Sequence, residues 1–182
     1  MTPLITSLNA AEARALLPRF HELLHDAVDS GASVGFLPPL AAAEAQDYWL
    51  SVIEAVAAGH RVLLVACQLG TGELLATVQL DLAIRPNSLH RAEVSKLLVH
   101  RRARRQGVAR QLLVALEGHA RALARTTLVL DTRQGDIAEQ LYQSIGYVLV
   151  GAIPAYFINF DGQPHATAVY YKLLGPVVYF PG

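Results

Sequence analysis

A chain of 182 residues that is 53% hydrophobic and 16% charged has the material for one domain with a full core; it is too short for two and too apolar to be disordered. Its 15 basic and 15 acidic residues balance, which argues against nucleic acid or a membrane surface as the main partner. The lone cysteine, Cys67, excludes an intrachain disulfide framework, and no basic leader or run of ~18 apolar residues is present, so the chain reads as soluble and cytoplasmic.

A short strand at Leu4 to Ser7 opens the pattern. Asn9 and Glu12 form a capping pair for a helical stretch that Pro18 kinks or restarts and Gly31 ends. After the loop "GASVGF" a helix is expected from Ala41 to Ala58, stopped by Gly59. Strands at Arg61 to Gln68 and Leu74 to Ala83 are joined by the glycine-bearing turn "LGTGE". "IRPNSLHR" breaks the pattern before a strand at Glu93 to Val99 and a helix at Gly107 to Ala124. A strand at Thr127 to Asp131 and a helix at Asp136 to Ile145 follow. Two closing strands, Tyr147 to Gly151 and Ala168 to Leu173, are expected to flank a long loop holding "IPAYFINFDGQPH". The order predicts an α/β domain over 1–182, with an antiparallel hairpin leading into a parallel crossover.

The most informative segment is "VSKLLVHRRARRQGVAR", Val94 to Arg110. A strand feeds a helix through a basic turn, so the first helical N–H groups point outward, unpaired, at the positive end of the helix dipole. Gly107 and Ala109 keep side-chain bulk away from those amides. The site suits a diphosphate, and five arginines lie between Arg101 and Arg110. Neither G-x-G-x-x-G nor G-x-x-x-x-G-K-[ST] is present.

The spacing R-x-x-G-x-A after a strand resembles the coenzyme A pyrophosphate loop of the GNAT acyltransferases. A second segment, "DIAEQLYQSIGY", matches that superfamily's A-x-x-L-Y-x-x-x-G-[FY] at Ala138, Leu141, Tyr142, Gly146 and Tyr147. The resemblance implies the GNAT fold: a mixed, mostly antiparallel twisted sheet with a central, splayed parallel strand pair flanked by helices. It also implies acetyl-CoA as cofactor, held by Leu97, Leu98, Val99, Arg104, Arg105, Gln106, Gly107, Val108, Ala109, Arg110 and Ala138. One departure is Gly135, where many members carry Asn; Gln134 or Asp136 would have to replace its contact. Within the superfamily the chain is most similar to the tabtoxin-resistance acetyltransferases, on "GASVGF", "NSLHRAEVSKLLV", "LDT" and "PHATAVYYK". That likeness implies N-acetylation of a small amino-acid-like amine, a toxin or antibiotic-type metabolite among the options.

Acyl transfer to an amine needs a neutral amine, a stabilised oxyanion and help for the departing thiolate. Glu93 and Asp131 open and close neighbouring strands and are the base candidates, Glu93 first; two partly desolvated carboxylates can be raised toward neutrality. Their bland roles would be pairing with Arg91 or Lys96 and capping a turn. Tyr142 is the candidate acid toward the coenzyme sulfur, and the Leu98 or Val99 amide the candidate oxyanion donor. Cys67 lies in another strand, so transfer should be direct. Ser33, Asn87, His90, Tyr156 and His165, on three loops, are candidates to hold the acceptor.

"HELLH" (His21 to His25) matches the zinc-peptidase pattern H-E-x-x-H, but both histidines flank an apolar stripe and neither common third ligand is present, so no metal is expected. The competing function is a coenzyme A-binding sensor without catalysis, which would need none of Glu93, Asp131 and Tyr142. The sequence leaves open whether the chain is a monomer or a homodimer.

Overall fold

The computed structural model describes residues 3–175. Seven strands form one sheet in the order β1-β2-β3-β4-β5-β7-β6: β1 (Leu4–Leu8), β2 (Arg61–Cys67), β3 (Leu74–Leu82), β4 (Arg91–Val99), β5 (Thr127–Arg133), β6 (Val148–Ile158) and β7 (Pro164–Leu173). Every pairing is antiparallel except β4 with β5. Five helices flank the sheet: α1 (Ala10–Ala15), α2 (Leu17–Asp29), α3 (Ala42–Ala57), α4 (Val108–Ala122) and α5 (Ile137–Ser144).

Asn9 and Glu12 make the expected reciprocal capping box on α1. Pro18 falls in the first turn of α2, where its missing N–H costs nothing, so the stretch restarts rather than kinks. Each sheet face buries one core. Leu112, Leu113, Leu116 and Ala120 of α4 pack with Val78, Leu80, Ala92, Val94, Leu128 and Leu130. On the other face Phe20, Leu23 and Leu24 of α2 and Trp49, Val52 and Ile53 of α3 cover Leu63, Val65, Leu74 and Leu98. The alternation of β4 and β5 therefore turns Ala92, Val94, Leu128 and Leu130 to α4, and Glu93, Ser95, Val129 and Asp131 to the opposite face.

One expectation fails. The long loop expected between the closing strands is a β-hairpin, with β6 running to Ile158 and β7 starting at Pro164. Pro154 is tolerated because β6 is an edge strand and the register shifts between Ile153 and Phe157, a bulge with Ala155 at φ 51°. Tyr156 thus belongs to β6 and His165 to β7.

Candidate active site

The site is built on β4. Its parallel ladder with β5 has three steps, Arg91 to Thr127, Ala92 to Leu128 and Glu93 to Val129, and then stops. Beyond Glu93 the β5-facing backbone of β4 has no ladder partner, and the strands separate. On the β3 side, Lys96 and Leu97 stand opposite Val78 alone, a bulge with Lys96 at φ 47°.

At the C-terminal end of β4, His100 leads through a 3-10 turn (Arg101–Ala103) to α4. The backbone N–H groups of Arg105, Gln106, Gly107, Val108, Ala109 and Arg110 donate no hydrogen bond among the described residues, whereas Gln111 already donates to the Gly107 carbonyl at 3.1 Å. Gly107 sits at φ 77°, the left-handed region that favours glycine, and Arg105 takes φ 61°. Consecutive unpartnered amides at a helix start fit a diphosphate by donor chemistry. The guanidinium groups contribute less than the sequence suggests. Arg101 donates its backbone N–H (2.9 Å) and its side chain to Asp26 of α2. Arg102 pairs with Glu73 at 2.8 Å, and Arg104 donates to the Val99 carbonyl at 3.1 Å. Arg110 reaches Ser144 of α5 at 2.7 Å, tying the two helices together. The Gln106 side chain donates to the Arg102 carbonyl, and Arg105 alone in the loop has no side-chain partner among the described residues.

Tyr142 of α5 is buried in the α4-side core, which also holds Val108, with Leu97, Val99 and Ala138 packed against it. Its ring stands edge-on to Tyr147 at 5.8 Å, and its hydroxyl makes no hydrogen bond among the described residues. Burial pushes its pKa well above that of an ordinary phenol, and the Asp136 and Asp131 charges push the same way. The Ala138 N–H is taken by the Asp136 carboxylate at 3.1 Å, and Asp136 also pairs with Arg133, so neither is free as the sequence suggested. At Gly135 the N–H is held by Glu139.

Glu93 and Asp131 project from one face of the separating pair, about 6–7 Å apart along the strand direction. Glu93 lies exposed on a cavity of about 200 Å³ lined by Asp81, Leu82, Ala83, Arg91, Ala92 and Val129. Its carboxyl pKa is raised by partial desolvation first, then by the Asp81 and Asp131 charges, with Arg91 and Lys96 opposing. Asp131 accepts from the buried Thr167 hydroxyl at 2.7 Å. Neither carboxylate forms an ion pair among the described residues, so the bland pairings are not made.

Three groups near the site were not singled out from the sequence, Lys96 having entered only as a partner for Glu93. Asp81, next to last in β3, lies on the same face, neutralised by the Arg61 guanidinium and accepting from Ser95 Oγ at 2.6 Å. Lys96 occupies the bulge. Asp26 locks the loop before α4 to α2. The polar alternation Thr77-Gln79-Asp81 within an apolar strand was a readable signal for the first; the other two carry none.

The acceptor candidates disperse. Ser33 lies in a loop whose Gly31 would bring a Cβ to 3.0 Å from the Phe160 ring, so that loop meets the β6–β7 hairpin tip. His165 stacks on Phe157 at 5.8 Å and pairs with Asp161 at 2.8 Å, on the face of Thr167 and Asp131. Tyr156 is exposed beside the bulge. Asn87 sits in an exposed 3-10 turn, and the His90 carbonyl accepts from Thr126 and Thr127 where β5 begins. Glu22 of "HELLH" faces His100 and Arg102, and no group of three His, Cys, Asp or Glu side chains among the described residues is placed to hold a metal. Cys67 ends β2, separated from β4 by β3, with its thiol pKa raised by burial. A second cavity of about 350 Å³ lies between α2 and the β2–β3 turn, away from these carboxylates.

A family model described as "Acetyltransferase (GNAT) family" matches residues 20–147. The chain belongs to the GNAT acetyltransferase family. It is therefore an acetyltransferase, and acetyl-CoA is the family's cofactor. The solved structures agree in fold. The acetyltransferase yncA of Salmonella typhimurium, determined with acetyl-CoA, is 20% identical with a TM-score of 0.80 and covers 100% of this chain and 99% of that one. A phosphinothricin acetyltransferase from Sinorhizobium meliloti, in complex with acetyl-CoA, is 20% identical with a TM-score of 0.75, covering 96% and 90%. A ribosomal-protein-alanine N-acetyltransferase from Brucella melitensis is 25% identical with a TM-score of 0.74, covering 93% and 99%. No helix among the described residues is long and apolar enough to cross a membrane.

Proposed function

We propose that this GNAT enzyme acetylates the amine of a small amino-acid-like molecule directly, within a ternary complex in the cytoplasm, as the tabtoxin-resistance likeness implies. The observation that carries this reading is the pair of unpaired carboxylates, Glu93 and Asp131, on one face of strands that separate just beyond them. Acetyl-CoA, when bound, supplies the activated acetyl thioester.

The unpartnered amides of residues 105–110 hold the diphosphate, and the Val99 N–H, turned to the open side of β4 while Leu98 and His100 face β3, polarises the thioester carbonyl. Glu93 accepts the proton that the acceptor nitrogen must lose; its raised pKa makes it a better base than a free carboxylate near ~4. Asp131 shares that face as second base. The Tyr142 hydroxyl donates toward the sulfur. Because a phenol with a raised pKa gives up its proton reluctantly to a thiolate of pKa near ~8.5, its help is mainly a hydrogen bond. A sensor would have no use for two carboxylates without counter-ions on that face. Ser33, Tyr156 and His165 flank the acceptor face, with Asn87 and His90 nearer the start of β4.

A homodimer along β6 belongs to the same proposal. That edge strand exposes Val148, Leu149, Val150, Ile153, Tyr156 and Ile158, divided between its two faces, and a second copy paired along the edge would cover part of this apolar area. Val150→Asp should yield a monomer by light scattering; an unchanged mass would remove this surface from consideration. Thiol release from acetyl-CoA across amino acids, polyamines and amine-bearing toxins, with mass detection of the product, tests the activity. Coenzyme binding without acetylation of any amine would favour the sensor.

A further inference from the structure

The chain has only two lysines, and they are treated oppositely. The Lys172 ammonium donates to Glu117 at 2.6 Å and to the Ile145 carbonyl at 2.6 Å, an ordinary structural pairing. Lys96 makes no hydrogen bond and no ion pair through its ammonium among the described residues, although it is half-buried. An unpaired, partly desolvated cation is costly, and folded proteins retain one where something else meets the charge.

The backbone commits to this side chain. Lys96 takes φ 47° in the β4 bulge, a conformation that strains a residue with a Cβ and suits glycine or asparagine. The bulge carries its Nζ over the Tyr48 ring, 5.9 Å from the centroid, and toward Gly35, whose absent Cβ would lie 3.6 Å from the nitrogen. Tyr48 is itself fixed, its hydroxyl oxygen accepting from Gln79 Nε2 at 2.8 Å, while the Gln79 carbonyl accepts from Arg61 at 3.0 Å. Gln79 shares its face of β3 with Asp81, which stands opposite Glu93, so the Tyr48 ring carries the ammonium on the same acceptor face. Desolvation lowers the Lys96 pKa, and the charges of Asp131, Asp81 and Glu93 act in the opposite direction. Yet it salt-bridges none of them. The face therefore presents separated charges: carboxylates at Glu93 and Asp131, the Arg91 guanidinium at the exposed start of β4, and the Lys96 ammonium at the half-buried bulge.

We propose that Lys96 receives the carboxylate of the acceptor, so that this enzyme selects an amine that also carries an acid group, held with its nitrogen at Glu93 and Asp131. This rests on the acceptor side proposed above and narrows it: the substrate class is α- or β-amino acids and their analogues rather than simple amines or polyamines. Charge-assisted contact of this kind is worth about 10- to 100-fold in affinity.

The test is thiol release with paired probes, the L-amino acids against their primary amides, for wild type, Lys96→Met and Lys96→Arg. At least one acid should exceed its amide by about 10- to 100-fold in kcat/KM, mostly through KM. Lys96→Met should bring the ratio near one, with wild-type acetyl-CoA affinity by calorimetry as the folding control, and Lys96→Arg should restore part of it. The same acids should shift the Lys96 side-chain signal of lysine-labelled protein in NMR and leave Lys172 still. Amides or polyamines turned over as well as acids would overturn the role of Lys96 and leave acetyl transfer standing, as would a Lys96→Met loss shared equally by acid and amide. If no amine at all is acetylated and no acid moves the Lys96 signal, both readings fall.

Discussion

The two ends of β4 handle charge in opposite ways. At the C-terminal end, four arginines crowd the turn before α4 and a fifth, Arg110, lies in its first turn, yet Arg101, Arg102 and Arg104 are already engaged by Asp26, Glu73 and the Val99 carbonyl, and Arg110 by Ser144. Toward the other end, Glu93 and Asp131 stand without counter-ions and Lys96 without a carboxylate. The contrast teaches what each end is for. Where arginines are tied down, an anion must be held chiefly by backbone amides; where charges are left unpaired, they are available to a ligand and to proton transfer.

Gly107→Glu should break the first half of the comparison most severely. It places a carboxylate and a side chain at φ 77° where the diphosphate would sit, and acetyl-CoA affinity in calorimetry should fall by more than about 100-fold. Gly107→Ala, whose Cβ meets nothing closer than Gln111 Nε2 at 3.8 Å, should lose less and serves as the folding control. Unchanged affinity for Gly107→Glu would remove the loop from the coenzyme site.

Tyr142→Phe should lower kcat by about 10²-fold or less, the low end for acid assistance, with coenzyme affinity nearly intact. An equal loss in both would make Tyr142 a packing residue of the core it shares with Val108.

Asp26→Asn should cost about 1–3 kcal/mol of stability in a denaturant titration, because a buried carboxylate accepting from the Arg101 amide and guanidinium is replaced by a neutral group. Burial raises the Asp26 pKa, but those hydrogen bonds and the charges of His100 and Arg101 outweigh it and hold the pKa below the ordinary value. The contribution is therefore present above the unfolded-state pKa and is lost as pH falls through the lower folded one. A variant as stable as wild type at neutral pH would show the loop is not anchored there.

Among the arginines, Arg105→Ala should weaken acetyl-CoA by a few fold and Arg104→Ala by less, since Arg105 alone is unpartnered; both losses should shrink at high salt. The reverse ranking would mean that Arg104 leaves Val99 and Asp26 to serve the ligand.

Much of this contrast was legible in the residues themselves. The strand–turn–helix of 94–110 is local: an apolar run, a glycine and an amphipathic period fix it without help from elsewhere, and Glu93 and Asp131 follow from strand alternation. The β6–β7 hairpin was not legible, because Pro154 and Pro164 mark a loop unless one knows that β6 is an edge where a missing N–H is tolerated. Asp26 and Lys96 depend on contacts across 75 residues of chain and on a bulge between two strands, neither of which leaves a periodic trace. The basic turn misled in degree, since sequence spacing counts arginines but not the acids that meet them.

The most direct test is the pH dependence of thiol release by wild type and Glu93→Gln side by side. Desolvation and the neighbouring acids raise the Glu93 pKa, so the wild-type acid limb should lie above the usual carboxylate value of about 4. The same shift makes the ionised carboxylate unfavourable in the folded protein, lost stability that grows as pH rises through the folded pKa, so Glu93→Gln should melt no lower than wild type at neutral pH. Its rate should be most depressed near neutrality and recover as pH rises, because solvent then supplies the neutral amine. A Glu93→Gln enzyme that keeps the wild-type rate and profile would contradict the assignment of proton transfer to this end of β4.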